Sequence, residues 1–307
     1  MFYDLYDYNI DLMSSDTSLH DGIPKYYYHL KDKKFNDWEI PPWELFIFTK
    51  RLLGEGSFAK VYLAKWRETF VVAKVINPNI CKNEKDLVLR EFEIMTKLHH
   101  PNIVQFLGYI DEPFVIVMEY IPNGDLLENI EKHSLSKENK KNIMRDVLQG
   151  LAYIHNRLPY SLIHRDIKPT NILLTNSKVA KITDFGLSKF NNIYKSNSNN
   201  NLITIDENNS QNNCTIFKDL TINVGTERYM APEISEQKSY NNKIDIYSCG
   251  ILLYEMFESK RYIPGEKFSW YYTPKKIKTI ILNNMLCKVP EERLNSLNIL
   301  KIYNKLT

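Results

Sequence analysis

With 307 residues, 43% of them apolar and 25% charged, the chain can bury a core as one large domain or two small ones. A formal charge of +3 is too small a basic excess for a nucleic-acid binder, and the four cysteines (Cys81, Cys214, Cys249, Cys287) form no CxxC pair and no zinc spacing. The acidic start MFYDLYDYNIDLM lacks the basic flank and apolar centre of a secretory signal, and no apolar run is long enough to span a bilayer, so the expectation is a soluble, intracellular, cytoplasmic protein.

Residues 1–45 are polar and tyrosine-rich, punctuated by Pro24, Pro41 and Pro42, and are read as an extension ending at DWEIPP. From 46 to 121 the pattern is of short β-type runs: LFIFTKRLL, KVYLAKW, FVVAKVI, IVQFLGYI and FVIVMEY. One helix interrupts them, DLVLREFEIMTKL, which places Leu87, Glu91, Ile94, Met95 and Leu98 on one face. From 122 to 307 the character becomes helical, in KKNIMRDVLQGLAYIH, IDIYSCGILLYEMF and KKIKTIILNNML. An Asn-rich window near 191–213 buries too little apolar surface to hold one conformation and is read as a mobile insertion. Strands first and helices afterwards predict an α+β fold of two lobes.

Several stretches carry residues that the surrounding pattern does not explain. GEGSFAKV, residues 54–61, lies between two β-type runs; a Gly-rich hairpin admits phosphate oxygens to backbone N–H groups, though an isolated GxG equally describes a tight turn. Lys74 sits inside the apolar strand FVVAKVI, and Glu91 on the apolar stripe of its helix. Each is costly alone; paired, they neutralise one another and hold an ammonium ready for phosphate, unless the pair is only a structural ion pair. LIHRDIKPTNILL, residues 162–174, sets His164, Arg165, Asp166, Lys168 and Asn171 amid apolar residues, either as a solvated loop or as a reactive turn. In the second case Asp166 accepts a proton, Lys168 steadies a transferring phosphoryl group, and Asn171 offers a neutral oxygen to a metal. KITDFGLS then adds Asp184. Asn171 and Asp184 are hard oxygen donors suited to magnesium, and the whole set describes phosphoryl transfer.

In order, GEGSFAKV, VVAK, Glu91, HRDIKPTN, DFG and APE resemble the eukaryotic protein kinase family from about Trp43 to Leu300. DWEIP, AKW and HHPNIVQFLGY resemble its tyrosine-kinase-like group, and Lys168 and Thr226 the serine/threonine type. The resemblance implies a bilobal fold with a β-rich N-lobe and a mainly helical C-lobe, transferring the γ-phosphoryl group of Mg-ATP, with Mn2+ as a substitute metal, to Ser or Thr hydroxyls of protein substrates. It implies that Lys74 contacts the α/β-phosphates, that Glu91 orients it, and that Asp166 is the catalytic base beside Lys168. Asn171 and Asp184 hold the metal. The ATP site then comprises the loop residues Leu53, Gly54, Glu55, Gly56, Ser57, Phe58 and Ala59, the apolar faces Val61, Ala73 and Leu173, Met118 behind the adenine, Glu119 and Tyr120 as the hinge, and Asp125 at the ribose. Partners are ATP and protein substrates, with no nucleic acid and no membrane span; oligomeric state is not legible.

Two departures stand out. Ala59 replaces the third loop glycine, and ESKRYIPGEKFSWYYTPKK is shorter than the family's segment, which puts substrate docking in question and makes an inactive scaffold the competing reading. Arg165 beside the base leads one to expect a phosphate-ordered segment, with Thr221 the preferred site, Thr215 second and Thr226 in the acceptor pocket. The plainer alternative is an Arg165 bonded to local carbonyls.

Overall fold

The computed structural model describes residues 19–20, 23–24, 29–30, 32–56, 58–158, 160–195, 202–204 and 227–306. Ser57, Thr215, Thr221, Thr226 and residues 196–201 and 205–213 of the Asn-rich window lie outside them. The chain divides into two compact units, residues 1–99 with 104–120, and residues 100–103 with 121–307.

The first unit is built on a five-stranded antiparallel sheet. Its strands are β1 (Leu45–Glu55), β2 (Ala59–Trp66), β3 (Thr69–Ile76), β4 (Phe106–Ile110) and β5 (Val115–Glu119), in the order β1-β2-β3-β5-β4. Period-two alternation puts Val71, Ala73 and Val75 of β3 in one core with Leu45, Ile47, Tyr62, Ala64 and Val117. The same alternation turns Lys74 to the opposite face, so an ammonium in an apolar strand does not enter that core. Helix α1 (Lys82–Met95) follows β3, opened by a capping box in which the Cys81 N–H donates to the Glu84 carboxylate at 2.7 Å. It buries Val88, Glu91, Ile94 and Met95. The helix begins four residues before the apolar stripe at Asp86, because its first turn is exposed and carries no hydrophobic signal.

The end of the expected extension belongs to this sheet. Tyr109 N–H donates to the Trp38 carbonyl at 2.9 Å, and Ile40 N–H to the Tyr109 carbonyl at 2.7 Å. Gly108 permits the approach, since a Cβ there would stand 2.7 Å from the Trp38 carbonyl oxygen. Trp38 packs on Phe106, whose ring meets Phe92 of α1 edge-on at 5.5 Å.

The second unit is mainly helical. Its elements are α2 (Leu126–Glu131), α3 (Lys137–Asn156), β6 (Tyr160–Ile163), β7 (Ile172–Leu174), β8 (Ala180–Ile182), β9 (Lys189–Lys195) and β10 (Leu202–Thr204). They are followed by α4 (Pro232–Ser235), α5 (Lys243–Glu258), α6 (Lys275–Ile280) with a π turn through Met285, and α7 (Ser296–Asn304). β9 pairs antiparallel with β6 and with β10, so residues 191–195 and 202–204 of the Asn-rich window run as strands. The rest of the window, where a mobile insertion is expected, lies outside the described residues; backbone pairing satisfies amides whatever the side chains are. α5 is buried from Ile244 to Glu258 on nearly every side, which explains a run apolar all round rather than striped. Arg293, fully buried, forms a fork with Glu233 at 2.6 and 2.7 Å and anchors α4. Between α5 and α6 the chain carries no helix, so the short segment at 259–274 crosses as a strap.

Candidate active site

The first unit supplies a loop and an ion pair. β1 and β2 approach the hairpin with Gly54 opposite Val61 and Glu55 opposite Lys60, and Gly56 N–H donates to the Ala59 carbonyl at 2.9 Å. Among the described residues, a Cβ at Gly54 would meet nothing within 4 Å, and one at Gly56 only the Ala59 carbonyl at 3.8 Å. Neither glycine has a positive φ. Packing among the described residues therefore does not call for glycine at either place. Leu53 is exposed beside the loop, while Phe58 is half-buried and Ala59 buried.

Lys74 Nζ lies 2.6 and 2.7 Å from the two oxygens of Glu91, which is 7% exposed. An ammonium held by both oxygens keeps its third N–H and its open side for another anion. Val61 and Ala73 lie on β2 and β3, flanking this pair in the register. Met118, Glu119 and Tyr120 close β5. There the Glu119 side chain accepts the Gln105 N–H at 2.7 Å.

The second unit folds the stretch from His164 to Asn171 into a turn between β6 and β7. Arg165 sits at φ +69°, a conformation that side chains other than glycine adopt at some cost. What holds it is Asp245 of α5, wholly buried. Its carboxylate accepts the backbone N–H of His164 and of Arg165, each at 2.8 Å, and lies 2.9 Å from His155 Nε2. His155 Nδ1 in turn meets the Ser296 hydroxyl at 3.2 Å. Burial alone pushes the Asp245 carboxyl up, but the His155 hydrogen bond, nearby charge and amide donors outweigh it and hold the group below its ordinary value. Asp245 escaped the sequence reading, although an acid inside the apolar run IDIYSCG is the same signal that exposed Lys74 and Glu91.

Within the turn, Asp166 Oδ2 lies 2.7 Å from Lys168 Nζ and accepts from Asn171 Nδ2 at 2.8 Å, leaving Oδ1 without a hydrogen bond among the described residues. Asn171 Nδ2 also donates to the Asp166 carbonyl at 2.8 Å. Both amide protons are thus spent on Asp166, and Oδ1 of Asn171 is the face offered outward. Thr183 N–H donates to the Asn171 carbonyl at 3.0 Å, which brings Asp184 to the same place. Asp184 is exposed and stands at φ +64°; among the described residues only a long 3.4 Å contact from Gly186 N–H reaches its carboxylate. The His164 ring packs on Phe185 at 4.9 Å and its Nε2 contacts the Thr183 carbonyl at 3.0 Å, fixing this turn to the first.

Asp125 caps α2 by accepting the Glu128 N–H at 2.8 Å and bridges to Leu173. Desolvation pushes its carboxyl up. Arg165 donates to the Leu187 carbonyl and, at 3.0 Å, to the Tyr240 hydroxyl. Its guanidinium is engaged by these two groups, while Thr221 and Thr215 lie outside the described residues. No cluster of three or more metal-binding side chains occurs among the described residues. An amide oxygen and one carboxylate suit magnesium, which keeps waters and takes the rest of its ligands from substrate phosphates.

The Lys74–Glu91 pair lies in the strand-rich unit and the Asp166, Lys168 and Asn171 turn in the helical one. Residues 48–303 match the protein kinase domain, and the chain belongs to the protein kinase family. Among its relatives are the serine/threonine-protein kinases VIK and CTR1 of Arabidopsis thaliana. They are 39% identical over 73% of this chain and 48% of VIK, and 32% identical over 72% of this chain and 25% of CTR1. Serine/threonine-protein kinase shk2 of Schizosaccharomyces pombe is 34% identical over 69% of this chain and 33% of its own length. The match spans about half or less of these curated relatives. Among the described residues no helix is long and apolar enough to cross a membrane.

Proposed function

We propose that the protein is an active serine/threonine protein kinase that transfers the γ-phosphoryl group of Mg-ATP to hydroxyls of protein substrates. The observation that carries this reading is the state of Asp166, whose Oδ2 is held by Lys168 and Asn171 while Oδ1 is open. Oδ1 takes the proton of the acceptor hydroxyl as its oxygen bonds to the γ-phosphorus and the bond to the ADP oxygen breaks. Lys168 stays on the carboxylate and offers positive charge to the transferring group. Lys74, positioned by Glu91, meets the α/β-phosphates, with the glycine loop above them. Val61, Ala73, Met118 and Leu173 enclose the adenine, the backbone of Glu119 and Tyr120 bonds it, and Asp125 takes the ribose. Asn171 Oδ1 and the Asp184 carboxylate would hold the magnesium, which neutralises charge building on the phosphate oxygens when bound. Three described cysteines, Cys81, Cys249 and Cys287, are unbridged, which supports an intracellular, cytoplasmic setting.

Asp166→Asn removes the proton acceptor and little else. Turnover should fall by about 10²–10⁴-fold, the range for general-base catalysis, with nucleotide affinity nearly unchanged. Equal turnover in the variant and the parent in a single-turnover assay would sink the reading. Nucleotide binding without turnover in either would leave the scaffold reading in its place.

A further inference from the structure

The strap between α5 and α6 is built rather than frayed. Glu258, the last residue of α5 and buried, accepts the backbone N–H groups of Tyr271 at 2.8 Å, Tyr272 at 3.1 Å and Thr273 at 2.9 Å, and the Thr273 hydroxyl as well. Beneath the strap, Tyr254 meets Phe268 and Trp270 edge-on, each at 4.9 Å, and Tyr262 stacks on Phe268 at 4.7 Å. One carboxylate and an aromatic cluster thus fix the backbone, and the fixing decides what faces outward. Tyr271 is 80% exposed and Tyr272 73%, at the one point where the strap is pinned most firmly. Large aromatic side chains this exposed on an ordered backbone are a contact surface in waiting.

Their surroundings are basic. Lys260, Lys267, Lys275 and Lys276 are exposed along the same segment, and Lys278 lies over the Trp270 ring at 5.7 Å. Between 259 and 278 the single acid is Glu266. Tyrosines enriched at binding hot spots, ringed by cations, fit an acidic peptide carrying apolar or aromatic residues.

We propose that this strap is a docking surface for an acidic stretch of the protein substrate, outside the residues phosphorylated. The proposal rests on the kinase reading for the word substrate, but the docking itself does not need turnover. The test therefore has a binding arm and a kinetic arm. In the first, a fluorescent peptide alternating glutamate and phenylalanine is titrated onto the full chain carrying Asp166→Asn. The doubly charge-reversed form Lys275→Glu/Lys276→Glu and the form Tyr271→Ala/Tyr272→Ala are titrated beside it, each first shown to melt as the parent does. Binding should weaken about tenfold in each, and should weaken with salt in the parent, as expected of exposed charges within a Debye length. In the second arm, a Ser/Thr peptide with and without a glutamate-rich tail is used with the catalytically intact chain. The tail should lower KM about tenfold in the parent and not in the variants, with kcat and the KM for ATP unmoved.

Equal peptide binding by parent and variants overturns the proposal. So does binding of a single-stranded oligonucleotide or of phosphatidylserine vesicles in place of the peptide. Loss of binding in the variants together with no turnover on any peptide upholds the docking surface and overturns the kinase reading instead.

Discussion

Asp245→Ala should dismantle the catalytic turn from below. The substitution strands three donors in the interior: the N–H groups of His164 and Arg165 and, on the third side, His155 Nε2. A buried donor left unpaired costs about 1–3 kcal/mol, so the three together imply roughly 3–6 kcal/mol if water partly reaches one of them. The strain of Arg165 at φ +69°, about 1–3 kcal/mol, is present in the parent as well, and its release as the turn relaxes offsets part of that loss. A loss of that size is a large share of a domain's stability, so Asp245→Asn, which keeps the shape and one acceptor oxygen, is the companion variant. Urea unfolding monitored through the second unit should show the alanine variant losing at least about 3 kcal/mol, the asparagine variant less. Turnover should fall in both, because Asp166 directly follows the released residue. The pH dependence has a defined sign. The folded-state carboxyl lies below its ordinary value of 3.8, so its stabilisation is present above that pH and is lost as pH falls through the lowered value. The parent should therefore lose stability in that acid window, and Asp245→Asn should lose less there. An alanine variant within about 1 kcal/mol of the parent, with unchanged turnover, would refute the reasoning.

Lys74→Met and Glu91→Gln should each impair phosphoryl transfer, and the double variant should lose much less than the sum in a double-mutant cycle; full additivity would mean the pair does not act as a unit. Gly54→Ala meets no steric obstacle, so the melting temperature should hold or rise slightly while the KM for ATP increases; an unchanged KM would mean the loop does not approach phosphate. Arg293→Ala should cost about 3–5 kcal/mol in chemical unfolding by leaving the Glu233 carboxylate buried and unpaired, and lysine should rescue poorly because it cannot reproduce the fork.

Much of this architecture is readable without coordinates where charge interrupts an apolar pattern. Lys74 in β3 and Glu91 in α1 are each anomalous, and their 2.6 Å contact is the simplest resolution of both anomalies. The same logic reaches Asp166 and Asn171, only five positions apart. It stops at Asp245, whose partners lie 80 and 90 positions away. No local pattern encodes such a contact. The attachment of residues 38–40 to β4 is hidden for a related reason: it is made by backbone groups, and its one side-chain sign is the missing Cβ of Gly108. The β9 pairing over an Asn-rich run is hidden because ladder hydrogen bonds ask little of side chains. The strap between α5 and α6 is visible as a short segment, whereas the Glu258 clasp that orders it needs three amides to converge.

The most direct test of the central claim is phosphosite mass spectrometry after incubation of the purified chain with Mg-ATP and a mixed Ser/Thr/Tyr peptide. Added phosphate should appear on serine or threonine and be abolished by Asp166→Asn and by chelation of the metal. Absence of phosphopeptide from a chain that still binds Mg-ATP, or the same phosphopeptide from Asp166→Asn, would contradict the claim.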